Sequence, residues 1–406
     1  MTDAPVRTPP LPLAEAQRRL MFLAPQLPVE HRAAAECAGF YLANPVTAHR
    51  TQPEAPLSAM DGYALRAADL PGPWAVVGES AAGHPFAGTV GAGQAVRIST
   101  GAVMPDGADA VLLQEDMTRD GDQVTLTGTP PSPPGRHIRS AGMDFVASTP
   151  LLDVGSRLGP AQIGLAIAAG HQYLRVRRPV DLVIIDSGDE LARPGRAIKP
   201  HQIPDSNGPM LAALAATCPV HVTRIGPVAD SLTELGAAFD EARRADIVVT
   251  SGGASVGDHD LVRPALEAAG ATIDFWRVAI KPGKPLLVAR RGQQVVLGLP
   301  GNPASAFVTG FLFMLPLLRA ALGAADPLPR TIPARLAEPM PAGGGRTEFL
   351  RGHWNGESVR LDPLQDSGAL SPLARANALV VRHAGAAAVP AGTIVPIYLL
   401  DNGGIA

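Results

Sequence analysis

Cysteine is almost missing from this chain: Cys37 and Cys218 are the only two in 406 residues, and no CxxC or Cys/His cluster surrounds them. This argues against a disulfide framework or a structural zinc site, and a reducing, cytoplasmic setting is expected. A surplus of one charge is missing too. The 34 basic and 37 acidic residues nearly cancel, so no overall basic field would draw the chain to nucleic acid, although a local basic pocket is compatible with this balance. No apolar run is long enough to cross a bilayer. The best candidate, Ala304 to Leu318, falls short of the roughly 20 residues required and is interrupted by Gly310 and Pro316. A buried helix, with no membrane partner, is expected there. The N-terminus lacks the continuous apolar segment of a secretory signal. Lysine occurs three times only, at Lys199, Lys281 and Lys284, and two of the three share the pentapeptide KPGKP.

What remains is the composition of a folded chain, 46% apolar and 17% charged, which sets disorder aside. One core rarely serves this length, so two to four domains are expected. Pro12 to Ala38 reads as largely helical, with a break between Pro25 and Pro28. Short apolar or alternating runs at Trp74–Val77, Gln94–Ile98, Ala110–Leu113 and Gln123–Leu126 read as a small β-rich domain. From residue 178 the pattern changes. Buried strands at 181–186, 220–225 and 246–250 alternate with helices near 208–217, after the capping box Ser231 to Glu234, and at 261–269. That alternation implies a doubly wound parallel sheet. After Pro327 short alternating segments return, the pattern of a β-barrel or sandwich.

In an open α/β sheet, ligands bind beyond the carboxyl ends of the strands. Three loops should therefore share one edge: Ser187 to Glu190 (SGDE), Ser251 to Asp260 (SGGASVGDHD) and Pro300 to Ser305 (PGNPAS). Glycine-lined amides and hydroxyls suit anionic oxygens, and carboxylates suit a hard cation. A polyanion held partly through Mg2+ fits all three. Neither a Walker loop nor a well-placed dinucleotide fingerprint is present. Taken singly, each loop also has an ordinary reading, as a strand-to-helix turn or a helix cap.

The segments SAMDGYA (58–64), RISTGA with PDGADAV (97–111), SGDEL (187–191), SGGASVGDHD (251–260), KPGKP (281–285) and GLPGNPASA (298–306) resemble, in that order, the molybdopterin molybdenumtransferase family, which includes MoeA and the E domain of gephyrin. The resemblance spans essentially the whole chain and extends to Thr347–Arg351 (TEFLR).

The resemblance implies a homodimer that inserts molybdate into adenylylated molybdopterin, with Mg2+-dependent release of AMP. Pterin adenylyltransferases and acceptor molybdoenzymes become the expected protein partners. Asp61 and Thr100 would reach the cleft from the neighbouring subunit, and Glu190, Asp230 and Asp260 would be the essential acids. Asp260 would bind Mg2+, helped by Asp205 and Glu190. Ser251, Gly252, Gly253 and Ser255 would hold nucleotide phosphates, with Arg139, Asp144, Pro300 and Pro303 also contacting substrate. Lys281, Lys284, Pro285, Ser305 and Arg351 would form the molybdate site together with Ser367 or Ser371. The chain departs from the family pattern at Met143, where Glu is usual, at Asp186-Ser187, where Ser-Thr is common, at Arg277 in place of Lys, and in the lead-in Gln52 to Leu57.

The expected architecture is thus α/β plus β in four parts. Residues 1–50 with 145–177 would form a discontinuous N-terminal helical part, and 51–144 an inserted β-rich domain. Residues 178–325 would form the central doubly wound α/β domain, and 326–406 a C-terminal β-barrel-like domain. A nucleotide pyrophosphatase acting without molybdate and a non-catalytic pterin-binding scaffold are the alternative functions.

Overall fold

The computed structural model describes residues 9–193, 195, 197–252 and 261–400. Its centre is a six-stranded sheet. The strands are β1 (Val180–Ser187), β2 (Val220–Val228), β3 (Ile247–Ser251), β4 (Thr272–Trp276), β5 (Leu287–Arg291) and β6 (Gln294–Leu299), arranged β2-β1-β3-β6-β5-β4. β1 reads VDLVIIDS, apolar almost throughout, because helices cover both its faces. Its alternate residues serve two cores. Leu182 and Ile184 pack with Leu211, Phe307 and Leu312 on one side. Val183 and Ile185 pack with Leu235, Phe239 and Leu266 on the other.

The helices are α1 (Asn207–Ala215), α2 (Leu232–Glu241), α3 (Val262–Ala268), α4 (Pro303–Thr309) and α5 (Leu315–Ala321). The Ser231 hydroxyl accepts the Glu234 backbone N–H at 3.1 Å, which caps α2. A wide-turn segment, Gly310–Met314, joins α4 to α5, and the continuous helix Pro303–Ala321 is 89% buried within its most apolar window. Length and apolarity alone would let it cross a membrane, yet it lies in the core of the α/β layer.

Four strands, β2, β1, β3 and β6, run parallel. β5 runs against β6 because only Gly292 and Gln293 separate them, and a two-residue link makes a hairpin rather than a crossover. β4 then pairs antiparallel with β5 at the edge. The sheet is therefore parallel-rich rather than wholly parallel.

The N-terminal region differs from the helical reading of Pro12 to Ala38. Its helix stops at Phe22, and Val29–Ala33 is a strand paired antiparallel with Tyr173–Arg177. Pro25 and Pro28 end the helix, and a partner 144 residues away, at the register Val29 to Arg177 through Ala33 to Tyr173, supplies the ladder that a local pattern cannot show. A second short ladder joins Val46–Thr47 to Pro150–Leu152.

Between these ladders lies a six-stranded sheet in the order Ala110–Leu113, Gly62–Leu65, Gln94–Ile98, Trp74–Ser80, Gln123–Leu126, Met117–Asp120. Trp74 fills its core. At the C-terminus β7 (Ile332–Leu336), β8 (Thr347–Trp354), β9 (Ser358–Leu361), β10 (Ala378–Arg382) and β11 (Ile394–Leu399) close into a barrel. The closure comes from β8 pairing with both β9 and β10. The short strand Ile280–Lys281 adds to β8 in parallel, with Lys281 opposite Glu348, and so couples the barrel to the central domain.

Candidate active site

The carboxyl ends of β1, β3 and β6 meet at one edge of the sheet, and a cleft there is lined by Ser187, Glu190, Asp205, Asn207, Ser251, Gly252, Gly301 and Pro303. Three separate loops from the sequence thus converge. Gly252 has φ +103°, and a Cβ on it would stand 2.3 Å from the Ser187 carbonyl oxygen. Only glycine lets the turn after β3 lie this close to the end of β1.

The turn after β1 is tied by acids. The Ser187 hydroxyl donates to Asp230 Oδ1 at 2.9 Å, and the Asp230 backbone N–H donates to Asp189 Oδ1 at 3.2 Å. Asp230 therefore fixes the loop that carries Glu190, whose own side chain is exposed. The Asn207 side-chain amide donates to the Gly301 carbonyl at 2.6 Å, joining the start of α1 to the loop after β6.

Beneath these loops lies a buried ion cluster. Arg224 on β2 donates to Asp186 Oδ2 at 2.9 Å and also to Asp205 Oδ2. Burial pushes the Asp186 carboxyl up to about 6, against the pull of Arg224 and with the help of the neighbouring Asp205 charge. One oxygen on each of Asp186, Asp205, Asn207 and Thr250 is buried without a hydrogen-bond partner. Such oxygens suit a hard cation, and Mg2+ is commonly held by one or two carboxylates plus substrate oxygens. No cluster of three His, Cys, Asp or Glu side chains with metal-holding geometry exists among the described residues. Gly253, Ser255 and Asp260, three of the expected site residues, lie outside the described residues.

Asp61 and Thr100 sit together but on another sheet. The Thr100 backbone N–H donates to Asp61 Oδ1 at 2.6 Å, and this bond holds the exposed Asp61 carboxyl below the usual carboxylate range. Arg97 braces the same corner through the Gly62 carbonyl at 2.9 Å. Arg139, on a two-residue strand opposite Leu57, and Asp144 both present exposed side chains.

The expected molybdate residues gather where α4 meets the barrel. Lys284 is exposed, and its carbonyl receives the Val278 and Leu286 backbone N–H groups at 3.1 and 3.0 Å, so Lys284 and Pro285 stand on a firm turn. Lys281 is not a free charge: its ammonium donates to Glu348 Oε1 at 3.0 Å. Glu348 also receives Arg382, whose other nitrogen bonds the Pro341 carbonyl at 2.8 Å. Burial alone would raise the Glu348 carboxyl, but Lys281 and Arg382 outweigh it and hold it below its ordinary value.

Arg351 is 2% exposed, and its guanidinium donates to the carbonyls of Asp366 and Leu364 at 3.0 and 3.2 Å. In this arrangement it shapes the 364–368 loop rather than presenting an open fork. Through that loop the Ser367 carbonyl accepts the Ala304 N–H at 3.0 Å, and the Ser367 hydroxyl accepts from Asn302 at 3.1 Å. Ser305 is buried in α4, Pro303 opens that helix, and Pro300 is buried just after β6. Ser371 is exposed on a short helix, Leu370–Arg375.

Sequence reasoning missed Arg224, Asn207, Glu348 and Arg382 as structural parts of the site, whereas Asn302 lay within the PGNPAS loop that it singled out. Asp186 carried a signal too, as an acid inside a buried strand. A cavity of about 740 Å³, lined by residues such as Tyr41, Met210, Phe311 and Arg319, contains none of the expected site residues.

Fold and site together define a MoeA-type protein. Residues 11–170 match the MoeA N-terminal region (domain I and II), 183–320 the probable molybdopterin binding domain, and 333–400 the MoeA C-terminal region (domain IV). The molybdopterin molybdenumtransferase of Nostoc sp. is 36% identical over 379 residues, covering 89% of this chain and 86% of that protein. Its counterpart in Haemophilus influenzae is 34% identical over 349 residues, covering 84% and 86%. The crystal structure of the molybdopterin biosynthesis moeA protein from Pyrococcus horikoshii OT3 superposes with a TM-score of 0.81 at 26% identity, covering 96% of this chain and 100% of that one. The chain belongs to the molybdopterin molybdenumtransferase (MoeA) family and is a transferase.

Proposed function

We propose that the chain inserts molybdate into adenylylated molybdopterin with release of AMP, working with Mg2+ as a cytoplasmic homodimer. The observation that carries this reading is the convergence of three loops on one sheet edge, above buried carboxylate and amide oxygens that lack partners. A polyanion and a hard cation meet that need together.

In this reading Ser251 and Gly252, which line the cleft, receive phosphate oxygens of the nucleotide, and Asp230 keeps the Glu190 loop in register through Ser187. Asp205, Glu190 and Asp260 are the residues that would hold Mg2+, and Mg2+ when bound neutralises charge on the pyrophosphate linking AMP to the pterin phosphate. Water then cleaves that link, and AMP departs. The two dithiolene thiols form two Mo–S bonds in place of two oxo groups of molybdate, which leave as water with the two thiol protons and two more from solvent. Lys284 attracts the oxyanion, while Lys281, balanced by Glu348, contributes position more than net charge. Asp61 and Thr100 are borne by the β-rich sheet, so this reading has that sheet reach the cleft of a second copy. It goes with a division of the chain at 1–50 with 145–177, 51–144, 178–325 and 326–406.

The test is AMP release from adenylylated molybdopterin with and without molybdate. Release that rises with molybdate and yields molybdenum cofactor supports the reading. Release indifferent to molybdate, with no cofactor formed, would instead mark a nucleotide pyrophosphatase, and tight binding without release a scaffold.

A further inference from the structure

Asp186 is a buried acid near the end of β1, directly after the apolar run Leu182–Ile185. Its side chain and that of Asp205 are only 1% and 4% exposed. Two adjacent carboxylates buried this deeply are costly unless a cation with fixed donors lies between them. Arg224 is that cation. One guanidinium nitrogen serves both acids, and the Arg224 side chain, 34% exposed, reaches them from β2. The backbone at Gly208 closes over the cluster: a Cβ there would lie 1.9 Å from Asp186 Oδ2.

The contacts form a chain across the sheet edge. Arg224 links the end of β1 to Asp205, two residues before Asn207, and Asn207 begins α1 and bonds the Gly301 carbonyl at 2.6 Å. Asp205, Asn207 and Gly301 line the candidate cleft, whereas Arg224 does not.

We propose that Arg224 is a positioning residue of this site, matched to Asp186, which holds the start of α1 and the Gly301 loop in the geometry that meets the nucleotide. Its ligand arm rests on the function proposed above; its structural arm does not.

Two measurements on the full-length protein test it. The first is hydrogen exchange without ligand at the Met210 and Leu211 amides, the first of α1 to donate within the helix (Met210 to the Ser206 carbonyl at 3.2 Å), and the second is AMP affinity in the presence of Mg2+. Both are applied to wild type, Arg224→Ala, Arg224→Lys, Asp186→Ser and the double variant Asp186→Ser with Arg224→Ala. Arg224→Ala should speed exchange at these amides and weaken AMP binding roughly tenfold, the scale of coupling between groups in one network. Arg224→Lys should fall between, since an ammonium lacks the planar fork. Asp186→Ser alone should weaken AMP binding by about threefold, because Asp186 carries one of the unpartnered oxygens open to the cation. Added to Arg224→Ala, it should recover about threefold or more, because it removes one of two facing like charges. A contact that merely adds stability would not give that reversal of sign.

Unchanged exchange and affinity in Arg224→Ala would overturn the proposal, as would a further loss on adding Asp186→Ser. Should wild type fail to bind AMP, the nucleotide reading falls while the exchange data still decide the role of Arg224. If Arg224→Ala does not fold, Arg224→Lys and the double variant support the same comparison.

Discussion

Replacing Glu348 by Gln tests the electrostatics that join the barrel to the central domain. Glu348 is 5% exposed and lies between Lys281 and Arg382, which are 55% and 10% exposed. Breaking a buried ion pair on one side costs about 3–5 kcal/mol when the remaining charge has nowhere to go. Here Lys281 can rehydrate, and Arg382 keeps the Pro341 carbonyl, so about 2–3 kcal/mol is the better figure. For a barrel of this size that lowers the thermal midpoint by about 10 °C or more.

The pH dependence has a definite sign. Lys281 and Arg382 hold the folded carboxyl below its ordinary value despite burial, so its stabilisation is complete above the unfolded value of about 4.3 and is lost as pH falls through the folded one. The gap between wild type and Glu348→Gln should be open at pH 7 and close progressively at acid pH, as both proteins then carry a neutral side chain. Differential scanning calorimetry at a series of pH values measures it. Equal midpoints at pH 7, or a gap that does not narrow on acidification, would refute this account of the cluster.

Other outcomes follow from the same geometry. Lys284→Ala should raise the molybdate concentration for half-maximal AMP release more than Lys281→Ala does, because Glu348 already balances Lys281, and Lys284→Arg should restore part of the loss; superimposable molybdate titrations would place the oxyanion elsewhere. Gly252→Ala must strain a backbone at φ +103° and push against the Ser187 carbonyl, so AMP release should collapse while circular dichroism stays native. Turnover near wild type would show that the β3 turn is not part of the site. Asp61→Ala and Asp260→Ala chains, each inactive alone, should regain part of the activity when mixed and re-associated. No recovery in verified mixed dimers would count against a site shared between copies.

Much of the central fold was legible from residues close in sequence. The apolar run of β1 and the Ser231 cap of α2 each encode structure within a few residues. Strand propensity, capping and turn chemistry act over that range. The convergence of the three glycine-rich loops was also readable, because parallel strands place their carboxyl ends on one edge. The strand Val29–Ala33 was not, since its alternation resembles a helix end until the distant partner Tyr173–Arg177 is known.

The ion clusters were decided by tertiary structure alone. Arg224 is 38 residues from Asp186 and 19 from Asp205, and Glu348 is 67 from Lys281 and 34 from Arg382. Nothing local marks Arg224 as the partner of two buried acids, or Lys281 as already paired. Strand register sets those meetings: Ile184 lies opposite Arg224 and Lys281 opposite Glu348. The sequence determined which residues could carry the chemistry. Register and burial determined which charges remain free to do so, because a charge withdrawn from water must find its partner wherever the packing places one.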